Sequence, residues 1–206
     1  ITLSLDYTGE NYDVVAYLND HENETYWVGD FDAGGLPNVM ASENNTFDRT
    51  SIEIRANSKY DGALNFVAGI YMQDTDRFFG QDVMTATLMN SAAPQVGYIP
   101  GDYTHMLYDK RSESDGETSS LYFEVISDIS DQTQVTAGVR YIEEEKDSYF
   151  KQPYVNPAVL GLWIPASVGQ IEASQKHDDT VGELTIRHEL RDDVSIYAAY
   201  KQGWKS

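Results

Sequence analysis

The sequence predicts an all-β fold, made of antiparallel strands of the kind that wall a transmembrane β-barrel. The first observation is period-two alternation. In residues 194–205, Val194, Ile196, Ala198, Tyr200 and Trp204 share one face, while Ser195, Tyr197, Ala199, Lys201, Gly203 and Lys205 share the other. That stretch exceeds the five or six residues usual for soluble strands and, tilted, is long enough to cross a bilayer. The second is the spacing of the connections. Short turns at 8–11, 58–63, 128–132 and 191–193 alternate with long polar segments at about 21–47, 78–118 and 148–178. A barrel with one short-turn rim and one long-loop rim produces that alternation, and a soluble sandwich has no reason to. The third is the absence of any run of eighteen apolar residues, which excludes a transmembrane helix but not a barrel.

The elements follow in order. Ile1, Leu3, Leu5 and Tyr7 alternate along a first strand, and Thr8-Gly9-Glu10-Asn11 turns into a second at Tyr12–Leu18. The polar stretch from His21 to Phe47, with Gly34-Gly35 and Pro37, is expected as a loop. Ile52, Ile54 and Ala56 then face one way and Ser51, Glu53, Arg55 and Asn57 the other. After a turn at 58–63, Leu64, Phe66, Ala68, Ile70 and Met72 form an outer face opposite Asn65, Val67, Gly69, Tyr71 and Gln73. A second long loop is expected from Phe78 to about Thr118. Leu121, Phe123 and Val125, then Val135, Ala137, Val139 and Tyr141, mark the next two strands. A third loop at 148–178 precedes a seventh strand at Thr180–Leu190 and the eighth from Val194.

Composition narrows the function classes. The 206 residues hold fourteen Lys and Arg against thirty-four Asp and Glu, a formal charge of −20, so no basic stripe is available to neutralise nucleic-acid phosphates. The acidity reads either as a solvated surface or as acidic loops that bind cations or repel anions. Cysteine is absent, which removes disulfides and thiolate metal sites. His21, His105, His177 and His188 are scattered, with no spacing that pairs two imidazoles on one ion. Asp30-Phe-Asp-Ala-Gly34 and Asp74-Thr-Asp76 have calcium-like spacing, but neither completes an EF-hand loop. No metal site, cofactor or catalytic group is expected, since no nucleophile elbow, phosphate loop or zinc motif occurs.

Three stretches resemble the barrel of TonB-dependent receptors: Thr50-Ser-Ile-Glu-Ile-Arg-Ala-Asn-Ser58 with Gly62–Asp76, Val135-Thr-Ala-Gly-Val-Arg-Tyr-Ile-Glu-Glu-Glu-Lys146, and Val194–Ser206. The resemblance implies a Gram-negative outer-membrane barrel of about 22 strands with a plugged lumen. It also implies uptake of a scarce nutrient, such as an iron–siderophore complex, driven by the TonB–ExbB–ExbD system. On this expectation residues 1–206 are a central segment of about eight strands, without the plug, the TonB-contacting segment or a terminal aromatic strand. The partners implied are outer-membrane lipid, the nutrient and, through the plug region, the TonB system.

Candidate site residues fall in two sets. Glu53, Arg55, Tyr71, Glu124, Arg140, Glu183, Arg187 and Lys201 lie on the polar faces of strands and are expected to face the lumen, because a charge on the lipid side is costly at mid-bilayer. They either pair across strands and against a plug or line a hydrated path. Trp27, Phe78, Phe79, Tyr98, Tyr103, His105, Tyr108 and Trp163 lie on or beside the long loops. They either stack on a ligand or pack the loops together. Tyr7, Tyr141 and Trp204 on outward faces are expected in aromatic girdles. Two other architectures compete: a complete eight-stranded structural or adhesion barrel, and a soluble acidic β-sandwich that binds or hydrolyses glycans.

Overall fold

The computed structural model describes residues 1–33, 35, 38–85, 105–156 and 169–203. They form eight strands: β1 Thr2–Thr8, β2 Tyr12–Asp30, β3 Val39–Ser58, β4 Leu64–Thr85, β5 Met106–Ser130, β6 Thr133–Lys151, β7 Ile171–Arg191 and β8 Val194–Lys201. Each pairs antiparallel with the next, in sequence order, within one sheet whose edges are β1 and β8. Neither a closed eight-stranded barrel nor a two-sheet sandwich is therefore present among the described residues.

The short turns lie where the sequence places them. The second is organised by one side chain: Asn65 Oδ1 accepts from Ser58 Oγ and from the Tyr60 N–H, both at 2.7 Å. Its Nδ2 donates to the Tyr60 carbonyl at 3.1 Å, closing the turn. The long loops require correction. Most of 21–47, 78–118 and 148–178 is strand, and the connections shrink to 31–38, 86–105 and 152–170. At the 31–38 connection Asp32 Oδ2 accepts the N–H groups of Asn38 and Val39 at 3.0 and 3.1 Å, so this carboxylate is spent on the turn. β5 alone has 25 residues, a length of roughly 80 Å, whereas a tilted crossing needs only about ten residues. The strands are therefore far longer than a bilayer crossing requires, and the extra length lies on the side away from the short turns.

The faces are inside out by the standard of a soluble protein. Register carries Leu5 to Ala16, Ile54, Ile70, Leu121 and Tyr141 on one face. Leu5 is 74 % exposed and Leu121 60 %, whereas Ser51 and Ser120, on the polar face, are 5 and 6 % exposed. The apolar band also slopes. The rung that begins at Leu5 has reached Thr180 in β7, while the apolar positions there are Leu184 and Ile186, and in β8 Ile196, Ala198 and Tyr200. The band descends by about one residue per strand, which at about 3.3 Å rise and about 4.8 Å spacing is a strand tilt of roughly 35°, as in a barrel wall.

Aromatic residues gather on this outward face near the short turns. Tyr7 and Tyr12 rings lie 5.9 Å apart, Tyr60 and Phe66 6.4 Å, and Phe66 stacks on Phe123 at 6.0 Å. That is the position of an interfacial girdle. The buried apolar cluster is small and sits at the far ends of the strands, where Ala41, Val83, Leu107, Tyr108 and Val155 pack together. There residues 154–156 pair with the outer end of β5, the Asn156 N–H donating to Leu107 O at 2.7 Å.

Candidate functional site

Parity along the register places Glu53, Arg55, Tyr71, Glu124, Arg140, Glu183, Arg187 and Lys201 on one face of the sheet. Six of them, all but Tyr71 and Arg187, line a hollow of about 540 Å³ at the height of the apolar band. A glycine opens each half of it. Tyr122 lies across Gly69, where an added Cβ would come within 2.3 Å of the phenol oxygen. The ring thereby reaches from β5 over β4 to donate to Glu53 Oε1 on β3 at 2.6 Å. Gly138 separates Glu124 from Glu183 in the register, and Glu183 Cγ leans to 3.0 Å from where a Cβ would stand.

Several of these charges are held, whereas Arg55 Nε is buried with no hydrogen-bond partner in the protein. Lys201 Nζ lies 2.6 Å from Glu183 Oε2. Arg140 donates from Nε and Nη2 to Ser120 Oγ at 3.1 and 2.8 Å, with its guanidinium 5.9 and 5.7 Å from the Tyr71 and Tyr122 rings. Tyr71 is therefore joined to the hollow through Arg140. Arg187 stands apart, near the short turns, with Nη2 3.1 Å from Glu189 Oε1. This chain of fixed dipoles and ion pairs across β3 to β8 can line a polar passage; it holds no nucleophile beside a general base.

The aromatic candidates are dispersed. Trp27 is in β2, lying over Gly29 on the polar face, so it is a strand residue and not a loop residue. Phe78 and Phe79 are consecutive in β4 and so point to opposite faces; they cannot serve one ligand together. Tyr108 is buried in β5 with Lys110 Nζ 4.9 Å from its ring centre, and His105 is buried immediately before that strand. Tyr98, Tyr103, Trp163 and Trp204 lie outside the described residues.

Sequence reasoning missed the continuation of both faces beyond the apolar band. On the outward face the next rungs are acidic: Asp20, Asp74, Glu117 and Glu145 on one, then Glu22, Asp48, Asp76, Asp115 and Asp147 on another. Desolvation by its neighbours, then the charges of Asp76, Glu113 and Asp147, hold the exposed Asp115 carboxyl above its ordinary range. The polar face at the same height carries Arg49, Arg77 and Lys146 among Thr, Ser and Gly. A usable signal was present: Ser112-Glu-Ser-Asp-Gly-Glu-Thr118 alternates small and acidic residues with period two.

Comparison with known proteins follows the same architecture. The protein-family model described as "TonB dependent receptor-like, beta-barrel" matches residues 1–206. No curated protein matches. Among solved structures, the ferric yersiniabactin uptake receptor FyuA from Yersinia pestis superimposes with a TM-score of 0.74 at 16 % identity, covering 96 % of this chain and 26 % of that one. The siderophore receptor PiuA from Acinetobacter baumannii gives 0.65 at 13 % identity, covering 97 % and 31 %. The ferric citrate transporter FecA, in its unliganded form, gives 0.56 at 15 % identity, covering 96 % and 26 %. The chain thus spans between a quarter and a third of the length of these relatives, and at such identities the likeness concerns the fold. With the family model matched from end to end, an open antiparallel sheet and an apolar face turned outward, the chain belongs to the TonB-dependent receptor β-barrel family.

Proposed function

We propose that these eight strands are a central part of the barrel wall of an outer-membrane receptor that takes up a scarce nutrient by the TonB-driven route, an iron–siderophore complex above all. The observation that carries this reading is the inverted exposure: apolar rungs such as Leu5, Ile54 and Leu121 stand open while Ser51 and Ser120 behind them are covered. Lipid is the medium that favours such a surface. The polar face then lines the lumen, where the Glu53–Tyr122 and Glu183–Lys201 contacts line a passage beside a plug. The open edges of β1 and β8 fit a segment of a barrel of about 22 strands, closed by other strands. The likeness in fold to the ferric-complex and siderophore receptors named above supports the choice of cargo. Function here is binding and passage, with energy from TonB, ExbB and ExbD acting through the plug region, and not bond-making.

The test is accumulation of radiolabelled iron by cells expressing the full receptor, with and without TonB. Iron supplied as citrate, catecholate and hydroxamate complexes should enter in at least one form, only when TonB is present. Fractionation of the receptor with soluble proteins, or TonB-independent entry of every complex the receptor admits, would overturn the proposal.

A further inference from the structure

Phe78 and Phe79 part at the sheet, and Phe78 goes to the outward face, where it borders a hollow of about 220 Å³ between β2 and β5. Register sets its wall. One rung runs Tyr26, Asn44, Gly80 and Arg111; the rung above carries Ser42 and Asp82, and the rung below carries Phe78. Gly80 makes the room, since a Cβ there would stand 3.1 Å from the Phe78 ring and 3.6 Å from Arg111 Cδ. Asn44 lies ten residues above Ile54 on β3, roughly 33 Å along the strand and about 27 Å in height at the same tilt. A bilayer with its headgroups reaches only about 20–23 Å from its middle. On the reading that the apolar band meets lipid, the hollow therefore stands just outside the membrane, on the side away from the lumen.

Its polar groups are sheltered although the face is turned outward. Ser42 and Asp82 are 3 and 6 % exposed. Arg111 Nη2 donates to Asp82 Oδ1 at 2.9 Å and Nη1 to Lys110 O at 2.8 Å, so the cation is balanced within the wall. Burial raises the Asp82 carboxyl above its ordinary value even against the pull of Arg111. Such a carboxylate is short of donors, and its two oxygens have room for more than one. Asn44 Oδ1 is buried with no hydrogen-bond partner in the protein. A turn of the amide about its last bond, a soft torsion, brings this acceptor to the hollow that Asn44 lines. Tyr26 stands exposed at the rim and Phe78 half-buried below, so two rings border one small polar space.

We propose that this hollow binds a neutral sugar ring, its C–H face set against Tyr26 and Phe78 and its hydroxyls on Asn44, Asp82 and Arg111. Each hydroxyl both donates and accepts, which suits a wall that offers an amide, a carboxylate and a guanidinium side by side. An apolar ligand would leave Asn44 and Asp82 without donors, at a cost. An anion would meet Glu24, Glu113 and Asp109 on the neighbouring positions, and a cation would find Asp82 already paired. Sites for drug-sized molecules measure roughly 300–1,000 Å³, so a hollow of about 220 Å³ suits one ring. The sugar is carried by a lipid of the surrounding leaflet or is free in solution; the recognising chemistry is the same. The hollow lies across the sheet from the proposed passage, so its ligand is not the cargo.

The experiment is saturation-transfer NMR on the full receptor in a sugar-free detergent, with the methyl glycosides of glucose, galactose and mannose and with anionic glucuronate. At least one neutral glycoside should bind, more tightly than glucuronate, with transfer strongest to the C–H protons of one ring face. Tyr26→Ala and Phe78→Ala should each weaken it about tenfold, and Asn44→Leu about fivefold. Phe150→Ala removes a ring from the opposite face and should leave binding unchanged. Resistance of the folded barrel to dissociation in unheated detergent identifies variants that have kept their structure. Repeating the titration in phosphatidylcholine vesicles, with and without a lipid bearing a neutral oligosaccharide, separates the sources. Competition by the lipid assigns the site to a membrane glycolipid, its absence assigns it to a soluble sugar, and both uphold the proposal. Binding of no neutral glycoside, a preference for glucuronate, or unchanged binding in folded Tyr26→Ala and Phe78→Ala would overturn it. The titration needs neither iron nor TonB, so its failure and a failure of TonB-dependent uptake are read separately.

Discussion

An arginine scan up one strand tests the direction in which the sheet faces. On β3 the outward positions rise from Ala56 through Ile54 and Ile52 to Thr50 and Asp48. Ile54 is the middle of the apolar triplet, and Thr50 lies four residues higher, roughly 13 Å along the strand and about 11 Å in height at a tilt of roughly 35°. An arginine on the lipid face of a barrel costs about 2–4 kcal/mol at the midplane and about 0–1 near the interface. Ile54→Arg should therefore cost about 3 kcal/mol, and Ile52→Arg about 2. Thr50→Arg should cost under about 1 kcal/mol, because the new cation would stand beside Asp20 and Asp74, its partners in the register. Val67→Arg is the control at the same depth on the polar face, opposite Glu124, and should also cost under about 1 kcal/mol. The assay is denaturant titration of the full receptor refolded in lipid vesicles, scored by the folded form that resists unheated detergent. A flat profile from Thr50 to Ile54, or a Val67→Arg penalty larger than that of Ile54→Arg, would refute the assignment of faces.

Two further outcomes follow from the same contacts. Gly69→Val must displace the Tyr122 ring, since even a Cβ there would lie 2.3 Å from its oxygen. It should therefore destabilise the barrel more than Tyr122→Phe, which deletes only the 2.6 Å hydrogen bond to Glu53 at about 1–3 kcal/mol; equal midpoints would refute the packing. Asp115 is raised above its ordinary value, 3.8, by desolvation among its neighbours and by Asp76, Glu113 and Asp147. With the folded-state value above the unfolded one, the folded state binds the extra proton, so acidification from neutral pH toward that value should stabilise the outer strand ends. Asp76→Asn should reduce this gain, read as amide exchange in β4 and β5 against pH. An unchanged pH profile would show that the acidic rung is not coupled.

How much was legible follows from what each face touches. Within the band, Leu5, Ile54, Leu121 and Ile196 stand on one face and Ser51, Glu53 and Lys201 on the other, so apolar–polar alternation marks the strands and their turns. Beyond the band both faces are polar, and the contrast becomes acid against hydroxyl or base, as in Asp74-Thr75-Asp76-Arg77. Hydropathy alone reads that stretch as loop, so it draws the three long connections too long and does not show the rungs that carry Arg49, Arg77 and Lys146. Phe78 and Phe79 illustrate the same cost: assigned to one loop they could share a ligand, whereas in a strand they are separated by the sheet.

The amino-acid sequence by itself determined the all-β class, the eight strands, the positions of the short turns and the family, because period two and turn chemistry act over a few neighbouring residues. It also determined which charges share a face within the band, since parity along a strand needs no partner. Only the tertiary structure decided which rung meets which. The arm of Tyr122 over Gly69 to Glu53 joins residues 69 positions apart, and the placing of Arg49, Arg77 and Lys146 on neighbouring rungs of one face depends on register across four strands. Register is set by the whole sheet, through the alignment of its apolar band and its turns, and no local stretch of sequence contains that information.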